Sequence, residues 1–278
     1  MPDDPRLTLL LALADDELVI GHRHSEWTGW APHLEEDLAF SSIAQDEIAH
    51  ARTLYEIVAS IDGRDLDALA LGREPGDYRN AVLCERTNGD FAYTVARHWL
   101  YDHADDERLA ALEATTFKEL AEAVRVLRLE ERYHLEHADA WFRRLAEGPV
   151  DARHRFAEAL AQAYPDAVTL FEPLESEPAL LADGTLPRSN EELLAAWSAR
   201  VAERLASVGL ERVVESGVEA RAGEMIPTST GELPDDAAPI AAPRAPVGGG
   251  RRGVHSEEFT ALWEEMTGLY RAHPGARW

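Results

Sequence analysis

In residues 43–58 the apolar side chains Ile43, Ala44, Ile48, Ala51, Leu54, Tyr55 and Val58 return every three or four positions, the period of one helical face. That period dominates the first two-thirds of the chain and restricts it to helical architectures. Leu7, Leu10, Leu11, Ala14 and Leu18 mark a first helix over about 5–24. A second is expected over about 33–61, stopping at "DGRD". A third begins near Asn88 or Asp90, either of which can cap it, and runs to about 105. A fourth covers about 109–146 and stops at "EGP". "HSEWTGWAPH" (24–33) and "LGREPGDY" (71–78) read as loops. Long helices with short connections predict an antiparallel bundle.

Further helices are expected beyond it. One spans about 150–164, before Pro165. Another starts at "SNEELLAAW", where Ser189 and Glu192 have capping-box spacing, and ends around Gly209. Residues 223–253 hold five Pro and six Gly and read as an irregular excursion rather than a linker. In the last helix, "SEEFTALWEEMTGLYRA", Phe259, Leu262, Trp263, Met266 and Tyr270 form one apolar stripe, which predicts that it packs on the bundle. Alternating strand patterns and short internal repeats are both missing. The expected organisation is one domain over 1–278, with a core bundle at about 5–146 and a helical extension from about 150.

At 278 residues and 45% hydrophobic composition, with seven Trp, the chain can fill one large core. Cys84 is the sole cysteine, which excludes an internal disulfide and a cysteine metal site and fits a reducing compartment. The N-terminal run lacks the basic start of a signal peptide, and no stretch of eighteen apolar residues occurs. A soluble, cytoplasmic protein is expected. The formal charge of −25 argues against nucleic-acid and anionic-membrane partners. Lys118 is the only lysine, a composition that suits either high salt or a GC-rich genome. "PVGGGRRG" lacks the lysine of a phosphate loop, and no G-x-S-x-G is present. Arg251 and Arg252 within it read as a solvated loop pair or as an anion contact.

Six chemically expensive side chains interrupt the apolar faces of the four long helices: Glu17, then Glu47 and His50, then Asp102, then Glu131 and His134. Glu17 precedes Glu47 by 30 residues, and Asp102 precedes Glu131 by 29. Each E-x-x-H pair lies one turn apart on a single face, so both side chains reach one point on the bundle axis. Carboxylate, E-x-x-H, carboxylate, E-x-x-H is the ligand order of ferritin-like di-iron and di-manganese proteins. Four carboxylates neutralise two divalent cations, and the oxygen-rich set suits Fe or Mn. Asp46 and Glu130 are placed to accept from the outer histidine nitrogens. His103 and His137 are neighbouring alternatives, and Asp102, in the acidic run "YDHADDER", is also readable as a solvated helix end. The fold class expected is all-α, a ferritin-like antiparallel four-helix bundle with additional C-terminal helices.

"DDELVIGHRHSEWTGWAPHLEEDLAFSSIAQDEIAHAR", "NGDFAYTVARHWLYD", "RLEERYHLEHADAWFRRL" and "HSEEFTALWEEMTGLYRAHPGARW" together resemble the C subunits of phenylacetyl-CoA ring 1,2-epoxidases, which are bacterial multicomponent oxygenases. The resemblance covers nearly the whole chain, and its tail motif is specific. It implies a ferritin-like bundle paired with a homologous catalytic subunit that holds the di-iron centre and binds the CoA ester. A separate flavin and iron–sulfur reductase supplies electrons. C subunits of this family serve as structural partners with degenerate metal sites. Here "QDEIAHA" and "EERYH" instead look like the catalytic subunit's motifs. The expectation is therefore a subunit of a di-iron monooxygenase acting on phenylacetyl-CoA, a homodimer when alone, with a complete ligand set but no assigned catalytic residue. The alternative is a stand-alone ferritin-like di-iron or di-manganese oxidase or peroxide-consuming protein.

Overall fold

The computed structural model describes residues 4–211, 213 and 248–276, and all its regular elements are helical. Four long helices form the bundle. In α1 (Pro5–Ser25) Asp4 caps the first turn by accepting from the Arg6 amide. In α2 (Leu34–Asp62) the chain leaves through Gly63 at φ 77°, a left-handed cap that glycine adopts without strain. Two short helices follow, α3 (Leu66–Leu71) and α4 (Val82–Glu85). Then come α5 (Phe91–Leu112), capped by Asp90 rather than Asn88, and α6 (Lys118–Ala146). The extension contributes α7 (Val150–Ala167), α8 (Glu177–Asp183), α9 (Asn190–Ser207) and α10 (Glu257–Ala272).

Three boundaries differ from the sequence expectation, the first being the start of the fourth long helix, which lies at Lys118 and not near 109 because residues 109–112 complete α5. α5 continues seven residues past 105, because Asp105, Glu107 and Arg108 of "ADDER" are buried helix interior: Arg108 donates to Asp105 at 2.8 Å and to Asp16 at 2.6 Å. Pro165 lies inside α7. It sits in the last turn, where buried Ala163, Tyr164 and Ala167 hold the backbone in place and a 3₁₀ turn over Val168–Phe171 takes over. The Ser189–Glu192 capping box is formed as expected.

α1 packs along α2 and α5 along α6, while α7 and α9 cover the outer side of α5. Trp99 stacks on Phe142 with ring centres 4.4 Å apart, and Trp197 on Tyr164 at 5.4 Å, its indole N–H reaching the Leu100 carbonyl. The terminal stripe packs as expected: Phe259, Leu262, Trp263 and Met266 are buried and Tyr270 is half-buried. Trp263 Nε1 donates to the Arg73 carbonyl at 2.9 Å. Most of the 223–253 excursion falls outside the described residues.

Arg251 is neither solvated nor free for an anion. It is buried, donating to both Asp16 oxygens and to the carbonyls of Ala12, Arg79 and Leu170. The glycines allow this approach: a Cβ on Gly250 would stand 2.2 Å from the Asn80 carbonyl oxygen. Arg252 pairs with Glu172 at 2.7 Å.

Candidate metal centre

α1 and α2 run close enough at Gly21 that a Cβ there would meet Ile48 Cγ1 at 3.0 Å and Glu47 Cβ at 3.1 Å. This brings Glu17, one turn earlier, against Glu47. α6 closes the site from the far side. Glu17, Glu47, His50 and Glu131 each offer a ligand atom, all within 4.8 Å of one another. His50 Nδ1 lies 3.1 Å from Glu131 Oε1 and 3.6 Å from Glu17 Oε2. His134 Nδ1 lies 3.3 Å from Glu131 Oε1 and 3.6 Å from Glu47 Oε1. Glu47 and Glu131 therefore stand between the two imidazoles, whose ring centres are 6.1 Å apart.

Asp102 is buried on the His134 side, where its charge acts on His134 and Glu131. Its carboxylate lies outside the tight group and 3.2 Å from His98 Nδ1. The alternatives go elsewhere. His103 faces Asp139 at 3.1 Å, and His137 contacts Glu36 and His98.

The outer nitrogens behave as the sequence suggested. His50 Nε2 is 2.8 Å from Glu130 and His134 Nε2 is 3.3 Å from Asp46. A carboxylate outside holds the N–H outward and turns the Nδ1 lone pair inward.

The inner atoms have no such partners. Glu17 Oε2, both oxygens of Glu47, Asp102 and Glu131, and Nδ1 of His50 and His134 are buried and make no hydrogen bond. The inward contacts are close but poorly aligned for one. Buried polar atoms are ordinarily satisfied, and leaving several unpaired in one spot is costly. These atoms belong to all six residues singled out in the sequence, and their oxygen-rich donor set fits two divalent cations.

The electrostatics of the metal-free chain show the same demand. Burial, reinforced by Glu17 and Glu131, pushes the Glu47 carboxyl well above the usual range. Burial and Glu131 do the same to Asp102. Burial works to lower His50, but its contacts with Glu131 and Glu17 win and raise it to about 11. Burial is likewise outweighed at His134, which Glu131 lifts to about 9. Burial works to raise Glu131, but the two histidines bring it down to about 2. Protons occupy a site whose charge pattern suits cations.

Three features went unseen in the sequence. Tyr101, fully buried, donates to Glu17 Oε1 at 3.1 Å. Asp15 and Asp16, next to Glu17, are buried against Arg73, Arg108 and Arg251. His98 stands behind Asp102. The acids inside the apolar run "LLLALADDELVI" were the available signal for the second feature; Tyr101 and His98 had none. A cavity of about 160 Å³ beside α6, walled by Leu109, Leu129, Leu135, Arg128 and Arg132, has Glu131 in its lining.

Residues 2–223 match the protein family described as "Phenylacetic acid catabolic protein". The chain is 30% identical over 282 residues to the C subunit of 1,2-phenylacetyl-CoA epoxidase from Escherichia coli strain K12, an alignment covering 96% of this chain and 97% of that protein.

Proposed function

The chain belongs to the phenylacetic acid catabolic protein family, and from that premise we propose that it is the C-type subunit of an oxygenase that epoxidises the ring of phenylacetyl-CoA. We propose further that its own bundle holds two metal ions, iron in preference to manganese, through Glu17, Glu47, His50, Asp102, Glu131 and His134. The observation that carries the metal reading is the set of unpaired buried oxygens and nitrogens drawn from those six side chains.

In this reading Glu47 and Glu131, lying between the histidines, would hold the metals together with the other four side chains. Glu17 with His50 and Asp102 with His134 complete the two ends. Four carboxylates cancel the charge of two divalent ions, which removes the cost of burying either set alone. Glu130 and Asp46 fix the histidine rings, and Tyr101 fixes Glu17 by donating to Oε1. Iron held by these residues would supply the redox chemistry by which oxygenases of this kind activate O₂. Leu18, Leu54 and Leu127, within about one turn of Glu17, His50 and Glu131 along their helices, are buried and would limit access of bulk water.

The working form proposed is a complex with a homologous catalytic subunit that binds the CoA ester and receives electrons from a reductase. The relative's description as a subunit supports this. So does the exposure of Leu34, Leu38, Leu129 and Tyr133, large apolar side chains on the two helices that carry the E-x-x-H pairs. The match over nearly the full length of an epoxidase subunit disfavours a stand-alone oxidase.

The test combines the purified chain with reductase, NADPH, iron, O₂ and phenylacetyl-CoA, with and without the partner subunit. Epoxide only in the partner's presence is expected. Epoxide from this chain alone would make it the oxygenase. Elemental analysis after anaerobic iron loading should give about two metals per chain, and Glu47→Ala should abolish tight binding. A chain that stays metal-free would reduce the site to a relic.

A further inference from the structure

Behind Asp102 a line of side chains crosses three helices. His98 lies one turn before Asp102 on α5, and its Nδ1 stands 3.2 Å from Asp102 Oδ2. His98 Nε2 and His137 Nδ1, on α6, are 3.1 Å apart in a hydrogen bond. His137 Nε2 is 2.9 Å from Oε2 of Glu36, in the first turn of α2. His98 is fully buried, while Glu36 and His137 are 12% and 11% exposed in their side chains. The line therefore starts inside the bundle and ends just under its surface.

Aromatic rings pin the imidazoles. Phe40 packs against both His98 and His137 with ring centres 5.4 Å apart, and His24 closes on His98 edge-on at 5.1 Å. Neither ring can rotate without breaking these contacts. The His98–His137 and His137–Glu36 contacts are hydrogen bonds, whereas the close contact at Asp102 is not one, His98 Nδ1 and both Asp102 oxygens being unpaired.

Asp102 needs such a hold. Both its oxygens lack a hydrogen bond; like Glu17 on α1 it is the sole candidate ligand of its helix, α5, but unlike Glu17 it stands apart from the tight cluster. Resting on the two-metal reading, we propose that His98 and His137, anchored by Glu36, are positioning residues that hold Asp102 as a ligand of the metal beside His134. Retention of that one metal then depends on the first turn of α2, whereas the metal beside His50 and Glu17 is held without this line.

The experiment titrates ferrous iron anaerobically into metal-free full-length chain and follows stoichiometry and affinity, with Mössbauer spectra of isotopically enriched iron to separate the two sites. Wild type should take up about two irons. In His98→Ala one of them should weaken by about 10–100-fold, the usual loss when a residue supporting a ligand is removed, with only one of two spectral components altered. His98→Asn keeps an N–H near the Nδ1 position and should restore the second iron. Glu36→Ala, at the far end, should weaken the same iron and leave the other alone. If His98→Ala is too unstable to purify, His98→Asn and Glu36→Ala carry the comparison.

Wild type that binds iron together with a His98→Ala or Glu36→Ala variant that binds it equally well overturns the proposal while sparing the metal centre. Equal weakening of both irons, unrescued by asparagine, also overturns it, since that is the mark of general loosening. Wild type that binds no iron overturns the metal centre itself, and this line falls with it.

Discussion

Arg251 reaches across the fold to Asp16, its two terminal nitrogens 2.9 and 2.7 Å from the two carboxylate oxygens, although 235 residues separate them in the chain. Asp16 also accepts from Arg108 and from the Ala81 amide. The carboxylate next to candidate ligand Glu17 is thus tied to the last segment of the protein.

Removing one partner from a buried ion pair leaves a charge uncompensated, at about 3–5 kcal/mol. Arg251→Ala should fall near the lower end, about 3 kcal/mol, because Arg108 remains on Asp16. Burial works to raise the Asp16 carboxyl, but Arg251 and Arg108 bring it below its usual range. Its contribution is accordingly present above the ordinary carboxylate pKa and fades as pH falls through the lowered value. Urea unfolding at neutral and acid pH measures both; a variant as stable as wild type at neutral pH would show the latch to be idle.

Two glycines make a paired prediction. Gly21→Ala introduces a methyl 3.0 Å from Ile48 Cγ1, 3.1 Å from Glu47 Cβ and 3.2 Å from the Ala44 carbonyl. α1 must shift away from α2 where Glu17 meets Glu47, so about 1–3 kcal/mol of stability should be lost, and metal content should fall. Gly268, exposed within α10, has open space where a methyl would stand, with no atom within 4 Å. Gly268→Ala should gain up to about 1 kcal/mol from helix propensity. Melting curves and metal analysis of the two variants should move in opposite directions for stability and differ for metal.

The pH dependence of the metal-free protein has a definite sign. Glu47 and Asp102 are raised by burial and by neighbouring carboxylates, so folded protein keeps protons that the unfolded chain releases above about pH 4. His50 and His134, raised to about 11 and 9, add stability that is full below their ordinary value of 6.5 and is lost as pH climbs through the folded values. Glu131, lowered to about 2, acts oppositely but only in acid. Between about pH 5 and 9, therefore, these groups make metal-free protein less stable as pH rises, by up to about 1.4 kcal/mol per pH unit for each proton held. Metal replaces the protons, so the rise in Tm on iron loading should grow from about pH 5.5 to about pH 8.5. A rise that stayed constant across that range would mean that metal and protons do not compete for one site.

Glu47, His50, Glu131 and His134 were legible as candidate ligands because three-residue spacing on a helix is local information, and Asp46 and Glu130 were legible because they adjoin those residues. Partners fixed by helix rotation were not. His98 and His137 meet only because α5 and α6 turn those faces together, and Asp15 finds Arg73 across 58 residues. Arg251 was misread because a glycine-rich run looks like a solvated loop, whereas Gly250 is small here to let the chain pass Asn80. The end of α5 was misplaced because a cluster of acids resembles a boundary until their arginines are known.

The last helix gives the final prediction. Trp263 is buried, stacks under the Arg271 guanidinium at 4.2 Å and donates to the Arg73 carbonyl. Arg73 in turn holds Asp15, beside Asp16 and Glu17 on α1. Trp263→Ala should cost about 3–5 kcal/mol, the usual range for emptying a large aromatic site. Trp263→Phe keeps most of the apolar contact and removes only the N–H bond, so about 1 kcal/mol is expected. Deleting residues 254–278 exposes the whole Phe259, Leu262, Trp263 and Met266 face, each side chain contributing roughly 1.5–3 kcal/mol. That total is comparable to the net stability of a domain, about 5–15 kcal/mol, so the truncated chain should aggregate or fail to fold. Soluble truncated protein with an unchanged melting temperature and unchanged iron content would show that α10 supports neither the bundle nor the metal centre.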